Sequence, residues 1–204
     1  MNVALGQQRW GSKGFKDQML WDTVLTEEGK KQAVDLSKSI KRKVLPGEIQ
    51  VIVSSPLTRA LQTAELAFDG WDDTPRVVCP LLRERLYLSS DVGVMRSTLT
   101  SRFPRWDFSE LGTGDAPWWY VPGDEGYVEW RPSGEYGCPG EPTDVFRARL
   151  LALKRWIEAR PEQTIALVSH WGVAKGLTGQ SLHNCELVKT NTTALLLEPQ
   201  IDGE

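Results

Sequence analysis

Three apolar runs of the sequence are each followed by a side chain that could bind an anion or transfer a proton. Arg59 follows the run 51–53, Glu84 follows the run 76–79, and His170 follows the run 164–168. Guanidinium and imidazole groups bind phosphate oxygens, and a carboxyl group can donate a proton. In parallel α/β folds, ligands bind beyond the carboxyl ends of the strands. If these runs are parallel strands, the three side chains are candidate site residues.

Each residue also has an ordinary structural interpretation. Arg59 could be a solvated charge in the first turn of a helix, and Glu84, between two arginines, could form a surface ion pair. His170 could be a hydrogen-bonded residue at a strand end. Their spacing alone leaves both interpretations open, although three such residues at successive strand ends favour a site.

The elements that would position them are predicted by periodicity and capping. Thr26 and the acids after it predict the start of a helix that ends before Pro46. Ser54-Ser55-Pro56 predicts a cap and a first helical turn for a second helix, and a third is predicted over 142–160. The run 193–197 predicts a last strand. Strands alternating with helices indicate a three-layer α/β fold with a mostly parallel sheet flanked by helices.

Composition excludes several classes of protein. The chain has 204 residues, of which 40% are apolar and 25% charged, with a net charge of −3. This balance is typical of a folded soluble domain, and the charge gives no reason to expect nucleic acid or a membrane surface as partner. No apolar run is long enough to span a bilayer, so we expect a cytoplasmic protein. The three cysteines are widely spaced and indicate neither zinc nor a redox dithiol.

The segment 101–143 differs from the rest of the chain. It is rich in proline and glycine and contains four of the nine tryptophans. We interpret 1–204 as a single domain with an insertion at 101–143. Trp118-Trp119-Tyr120 could stack on a substrate, or could pin the insertion to the body of the protein.

Four segments resemble motifs of the histidine phosphatase superfamily, the phosphoglycerate mutase-like proteins. They read, in chain order, LTEEGKKQA, VIVSSPLTRALQTAELAF, LLRERL and TIALVSHWGV. Their order and spacing also resemble the family, and the similarity covers most of the chain. The resemblance implies the phosphoglycerate mutase-like fold and a pocket in which two histidines and two arginines bind phosphate.

The resemblance also implies a role for each matching residue. Arg59 would be a phosphate clamp, His170 the second histidine, and Glu84 the proton donor to the leaving alkoxide. The family transfers phosphate through a phosphohistidine and needs no metal or other cofactor. Asn2 resembles an asparagine that often follows the family's nucleophile, which gives it a possible phosphate contact.

The sequence departs from the family at the nucleophile. The family carries it in an Arg-His-Gly or Arg-His-Ala motif at the end of the first strand, whereas the only histidines here are His170 and His183. One explanation is a truncated or mis-started form of an active phosphatase, which lacks that first strand. The alternative is a non-catalytic pseudo-phosphatase that binds a phospho-ligand or a protein. We expect the first, because loss of a central strand would leave buried backbone groups unpaired.

The substrate is expected to be a small phosphorylated molecule. The residues after Glu84 lack the basic cluster of the phosphoglycerate mutases, so the resemblance favours hydrolysis of a phosphomonoester over mutase activity. The sequence leaves the oligomeric state open.

Overall fold

The computed structural model describes residues 17, 19–45, 47–121 and 140–201. Helices and strands alternate along much of this part of the chain, as the sequence predicts. The helices are α1 (Glu27–Lys43), α2 (Thr58–Ala67), α3 (Arg96–Arg102), α4 (Thr143–Glu158) and α5 (Trp171–Thr178). The strands are β1 (Val51–Ser54), β2 (Arg76–Val78) and β3 (Ile165–Val168). None of the described helices is long and apolar enough to span a bilayer.

The three strands form one parallel sheet in the order β2-β1-β3. All four residues of the central strand are buried. Ile52 packs into one apolar cluster, whereas Val51 and Val53 pack into another. Because successive side chains of a strand point to opposite faces, both faces of the sheet are covered. The predicted three-layer α/β fold is therefore confirmed.

The boundaries of α1 follow from the charges and the cap that the sequence predicts. The hydroxyl of Thr26 accepts a hydrogen bond from the backbone N–H of Gly29 at 3.1 Å. Glu27 and Glu28 lie in the first turn, where carboxylates interact favourably with the helix dipole, and three basic residues occupy the last turn. The helix packs Ala33 into the interior. This prediction is confirmed.

The predicted last strand over 193–197 is wrong. Thr192–Ala194 forms a single 3₁₀ turn instead. The backbone N–H of Leu196 then donates to the carbonyl of Leu177 at 2.8 Å, at the end of α5. Leu195 is buried, but Leu197 is 82% exposed. The apolar run therefore attaches to a helix rather than to the sheet.

The described part of the predicted insertion packs on the body of the protein. Its first two residues complete α3, and Asp107 forms an isolated bridge with Val77 next to the sheet. Trp106, Trp118 and Trp119 are buried in the same apolar cluster as Ile52. This burial favours the pinning interpretation of these tryptophans over stacking on a substrate. Residues 122–139 lie outside the described part.

Candidate functional site

The carboxyl ends of β1 and β3 meet at the site predicted from the sequence. The backbone N–H of Ser55, directly after β1, donates to the carbonyl of Val168 at 2.9 Å. Beyond that bond, Nε2 of His170 lies 2.8 Å from the hydroxyl oxygen of Ser55. His170 is partly buried and is the N-cap residue of α5. The parallel register of the two strands therefore places this imidazole at the sheet edge, as predicted.

Glu84 reaches the same edge from the segment that follows β2. Its Oε1 accepts the backbone N–H of Arg85 at 2.9 Å, and its Oε2 lies 3.4 Å from the backbone nitrogen of Gly172, which donates to it. A Cβ atom at position 172 would lie 2.6 Å from Oε1 of Glu84. Gly172 is thus needed for the close approach of this carboxyl group, so the surface ion pair suggested for Glu84 is not its environment.

Burial shifts the pKa values of these two groups in opposite directions. Burial, followed by the nearby Asp91 carboxylate, raises the pKa of Glu84 to about 7, while Arg59 and the two backbone bonds oppose the shift. Burial also lowers the pKa of His170 well below its usual value, and the positive charges of Arg59 and Arg149 act in the same direction. At neutral pH the imidazole is therefore uncharged, and the Glu84 carboxyl is close to half-protonated.

Arg59 is the second residue of α2, in the first turn as predicted. Its Nη1 donates to the carbonyl of Ser90 at 2.6 Å, and its Nη2 donates to Oδ1 of Asp91 at 2.9 Å. The side chain is 17% exposed, and its charge lowers the pKa of both His170 and Glu84. The three residues predicted from strand ends thus share one electrostatic environment.

The start of α2 differs from the prediction. The helix begins at Thr58 rather than at Pro56, and no serine side chain caps it. Asp22 supplies the cap: its Oδ1 accepts the Thr58 backbone N–H at 2.7 Å and its Oδ2 accepts the Thr58 hydroxyl at 2.5 Å. Asp22 is 4% exposed and has a positive φ of 38°. Because it lies 36 residues before its partner, no local pattern could identify it.

A buried ion-pair cluster supports the segment that carries Glu84. The Glu141 carboxylate accepts hydrogen bonds from Arg83 at 2.7 Å and from Arg149 at 2.8 and 3.0 Å. Arg149 also donates to the backbone carbonyls of Leu81 and Arg83. Burial, assisted by the positive charge of Arg149, lowers the pKa of Arg83 to about 9, although Glu141 opposes the shift. The cluster joins α4 to the chain next to Glu84.

Two further predictions concern binding. Asn2 lies outside the described residues. Within the described part of the chain, no three His, Cys, Asp or Glu side chains stand close enough together to hold a metal ion. The sequence analysis missed Asp91, Ser90 and Asp22, whose contacts with α2 span more than thirty residues.

Comparison with known proteins identifies relatives of this chain. The family model described as "Histidine phosphatase superfamily (branch 1)" matches residues 6–195. A phosphoglycerate mutase-like protein of Arabidopsis thaliana is 27% identical over 84% of this chain and 68% of its own length. A probable phosphatase of Schizosaccharomyces pombe is 32% identical over 43% of this chain and 41% of its own length. The crystal structure of a phosphoglycerate mutase from Thermus thermophilus is 25% identical, with a TM-score of 0.43, and the match covers 89% of this chain and 86% of that one.

Proposed function

Because the chain belongs to the histidine phosphatase superfamily, whose model matches most of it, we propose that it is a phosphomonoesterase domain acting on a small phosphorylated substrate. Arg59 and His170 would bind the phosphate oxygens, and Glu84 would protonate the leaving alkoxide. The observation that carries this proposal is the position of Glu84. Its carboxyl group accepts the backbone N–H of Gly172, two residues after His170, and burial raises its pKa to about 7, so it can hold a proton at neutral pH although Arg59 opposes the shift.

The uncharged imidazole suits a role as a hydrogen-bond partner of phosphate. Its Nε2 already makes a hydrogen bond with the Ser55 hydroxyl at 2.8 Å, and a bound phosphate oxygen would take the place of that hydroxyl at the same atom. Arg59 supplies the positive charge that a phosphate dianion needs, and it does so from a partly buried position where the attraction is only weakly screened. The proposal thus divides charge neutralisation and hydrogen bonding between two residues.

Hydrolysis through a phosphohistidine would need a second histidine at this pocket. The other histidine of the sequence, His183, is exposed, and its backbone N–H donates to the Glu186 carboxylate at 2.7 Å. The neighbouring residues Asn184 and Cys185 line a surface groove against α1. We therefore propose that this chain binds phosphate through Arg59 and His170, and that its turnover is impaired.

Phosphate binding and impaired turnover are tested separately, the first by titration and the second by an activity assay. Orthovanadate is a phosphate analogue, so its affinity is measured by isothermal titration calorimetry for the unsubstituted chain, His170→Ala and Arg59→Ala. We expect each substitution to weaken binding about tenfold or more, because each removes a hydrogen bond to a charged ligand. His183→Ala is the matched control and should bind as the unsubstituted chain does. Equal affinity of all four proteins would refute the proposed pocket.

Turnover of p-nitrophenyl phosphate by the same proteins tests the remaining point. We expect turnover by the unsubstituted chain to be low, because His183, the other histidine of the sequence, does not lie beside His170 where it could form a phosphohistidine. Full turnover that survives His170→Ala would contradict both the assigned roles and the impairment. Low turnover that His170→Ala abolishes would match an impaired phosphatase, whereas orthovanadate binding with no turnover at all would match the second interpretation of the sequence, a phospho-ligand-binding module.

We propose that 1–204 is a single domain with its insertion at 101–143, that it is cytoplasmic, and that neither nucleic acid nor membrane is its partner. The net charge of −3 supports the last statement, because nucleic acids and anionic membranes bind basic surfaces. Asn2 is proposed as a further phosphate contact on the family resemblance alone.

A further inference from the structure

The guanidinium of Arg59 is anchored by the turn Ser89–Asp91, which the sequence analysis did not single out. Nη1 donates to the carbonyl of Ser90 at 2.6 Å, and Nη2 donates to Oδ1 of Asp91 at 2.9 Å. The two bonds hold both terminal nitrogens of a planar group. Their geometry therefore fixes the orientation of the guanidinium as well as its position.

The turn itself is fixed on both sides. Oδ2 of Asp91 accepts the backbone N–H groups of Tyr87 at 3.2 Å and Leu88 at 3.1 Å. On the other side, the Asp17 carboxylate accepts the backbone N–H and the hydroxyl of Ser89, both at 2.5 Å. Asp91 is 7% exposed. Because Oδ2 of Asp91 is bound to the backbone, the carboxylate cannot rotate, and Oδ1 stays at one position against Arg59.

We propose that Asp91 is a positioning residue that holds the Arg59 guanidinium ready for a phosphate dianion. This inference rests on the proposed function, in which Arg59 binds the phosphate. Of the five N–H groups of an arginine, the bonds to Ser90 and Asp91 use two and leave three for an anion. An arginine side chain loses rotamer entropy when it is fixed. Here that loss precedes ligand binding.

The substitution Asp91→Asn separates positioning from simple charge. An asparagine has only one carbonyl oxygen, which the two backbone N–H groups of Tyr87 and Leu88 would retain. Its NH₂ group would then face the Arg59 guanidinium, donor against donor, and the anchor would be lost while the turn is kept. Charge alone predicts the opposite result, because removal of a carboxylate beside Arg59 strengthens its attraction for an anion.

The two explanations therefore differ in sign. We expect Asp91→Asn to weaken orthovanadate binding about tenfold, the effect of one well-placed charged hydrogen bond. Asp107→Asn is the control, because Asp107, like Asp91, accepts a backbone N–H at a 3₁₀ turn, here Ser109–Leu111, but makes no hydrogen bond with Arg59. It should leave the affinity unchanged. Equal or tighter binding by Asp91→Asn would overturn the inference.

A second variant tests the anchor with Asp91 in place. Arg59→Lys keeps the positive charge, but a single ammonium nitrogen cannot take the places of both Nη1 and Nη2 against Ser90 and Asp91. We expect this substitution to weaken orthovanadate binding about tenfold as well, because it too removes one well-placed charged hydrogen bond. The double variant should bind like Arg59→Lys alone, since the two changes remove one interaction. Unchanged affinity in Arg59→Lys would refute the inference even if Asp91→Asn fails to fold.

One more variant distinguishes this inference from the proposed function. If Arg59→Ala binds orthovanadate as tightly as the unsubstituted chain, the phosphate clamp itself is wrong and both proposals fail. If Arg59→Ala loses binding while Asp91→Asn keeps it, only the positioning role fails. Absence of saturable binding by the unsubstituted chain would overturn both.

Discussion

The substitution Glu84→Gln should change how the stability of the protein depends on pH. Glutamine has nearly the same shape as glutamate, and its carbonyl oxygen can still accept the backbone N–H of Arg85, but it does not ionise. The folded chain holds the pKa of Glu84 at about 7 instead of the usual 4.5. Between these two values the unfolded carboxyl is ionised, whereas the folded one still carries its proton.

The sign and size of the effect follow from proton linkage. The folded state binds more protons than the unfolded state in this range, so the free energy of unfolding must fall as the pH rises. The contribution of Glu84 is fully present below pH 4.5 and is lost by the time the pH has passed about 7. One pKa unit corresponds to about 1.4 kcal/mol, so the loss amounts to about 3 kcal/mol. That is a large part of a typical net stability of about 5–15 kcal/mol.

Urea unfolding, followed by tryptophan fluorescence at a series of pH values, measures this directly. The free energy of unfolding of the unsubstituted chain minus that of Glu84→Gln should decrease by about 3 kcal/mol between pH 4.5 and pH 8. Titrating groups that do not interact with Glu84 cancel in this difference. Glu162→Gln is the control: a hydrogen bond from Arg160 lowers the pKa of Glu162, so its contribution is lost only as the pH falls below 4.5, and its difference curve should be nearly flat between pH 4.5 and pH 8. Parallel curves for the unsubstituted chain and Glu84→Gln would refute the burial argument.

Two substitutions test contacts that hold the fold together, one of packing and one of charge, both by urea unfolding. Gly93→Ala should destabilise the fold by about 1–3 kcal/mol, because the added Cβ would lie 2.0 Å from Cζ2 of the buried Trp118 and the ring must move; unchanged stability would contradict the position of that ring. Glu141→Ala should cost about 3–5 kcal/mol, because it leaves the buried Arg149 and the partly buried Arg83 without their carboxylate. Glu27→Ala is the comparison, because it breaks an exposed ion pair and should cost less than about 1 kcal/mol. Equal losses of stability in Glu27→Ala and Glu141→Ala would contradict the argument that burial makes the Glu141 ion pairs important.

Local sequence patterns were enough to predict most of the elements around the site. The apolar run of β1 is fully buried because the strand is central in the sheet, and the Thr26 cap and the charges of α1 act within a single helix. The apolar run 193–197 has a similar composition but forms no strand, because its backbone bonds to the end of α5. Only Leu195 of this run is buried, so an apolar composition gives neither the burial of a run nor its partner.

The same limit applies to the candidate site. Arg59, Glu84 and His170 were predicted because the ends of parallel strands meet at one edge, which is a property of the whole fold class. Asp22 and Asp91 were missed because each bonds to α2 from more than thirty residues away. An isolated aspartate in a polar stretch has many ordinary interpretations, and only the folded chain shows which helix it contacts.

The two carboxyl groups beside Arg59 bear on how a phosphate dianion could enter this pocket. If Glu84 were ionised together with Asp91, two negative charges would face one guanidinium, and the dianion would be repelled. The raised pKa of Glu84 removes its charge from about half of the molecules at neutral pH, and the dianion itself would raise that pKa further. The proton that allows the phosphate to bind is therefore the same proton that the leaving alkoxide requires. For this reason, the affinity for the dianion and the protonated fraction of Glu84 should increase together as the pH falls through 7.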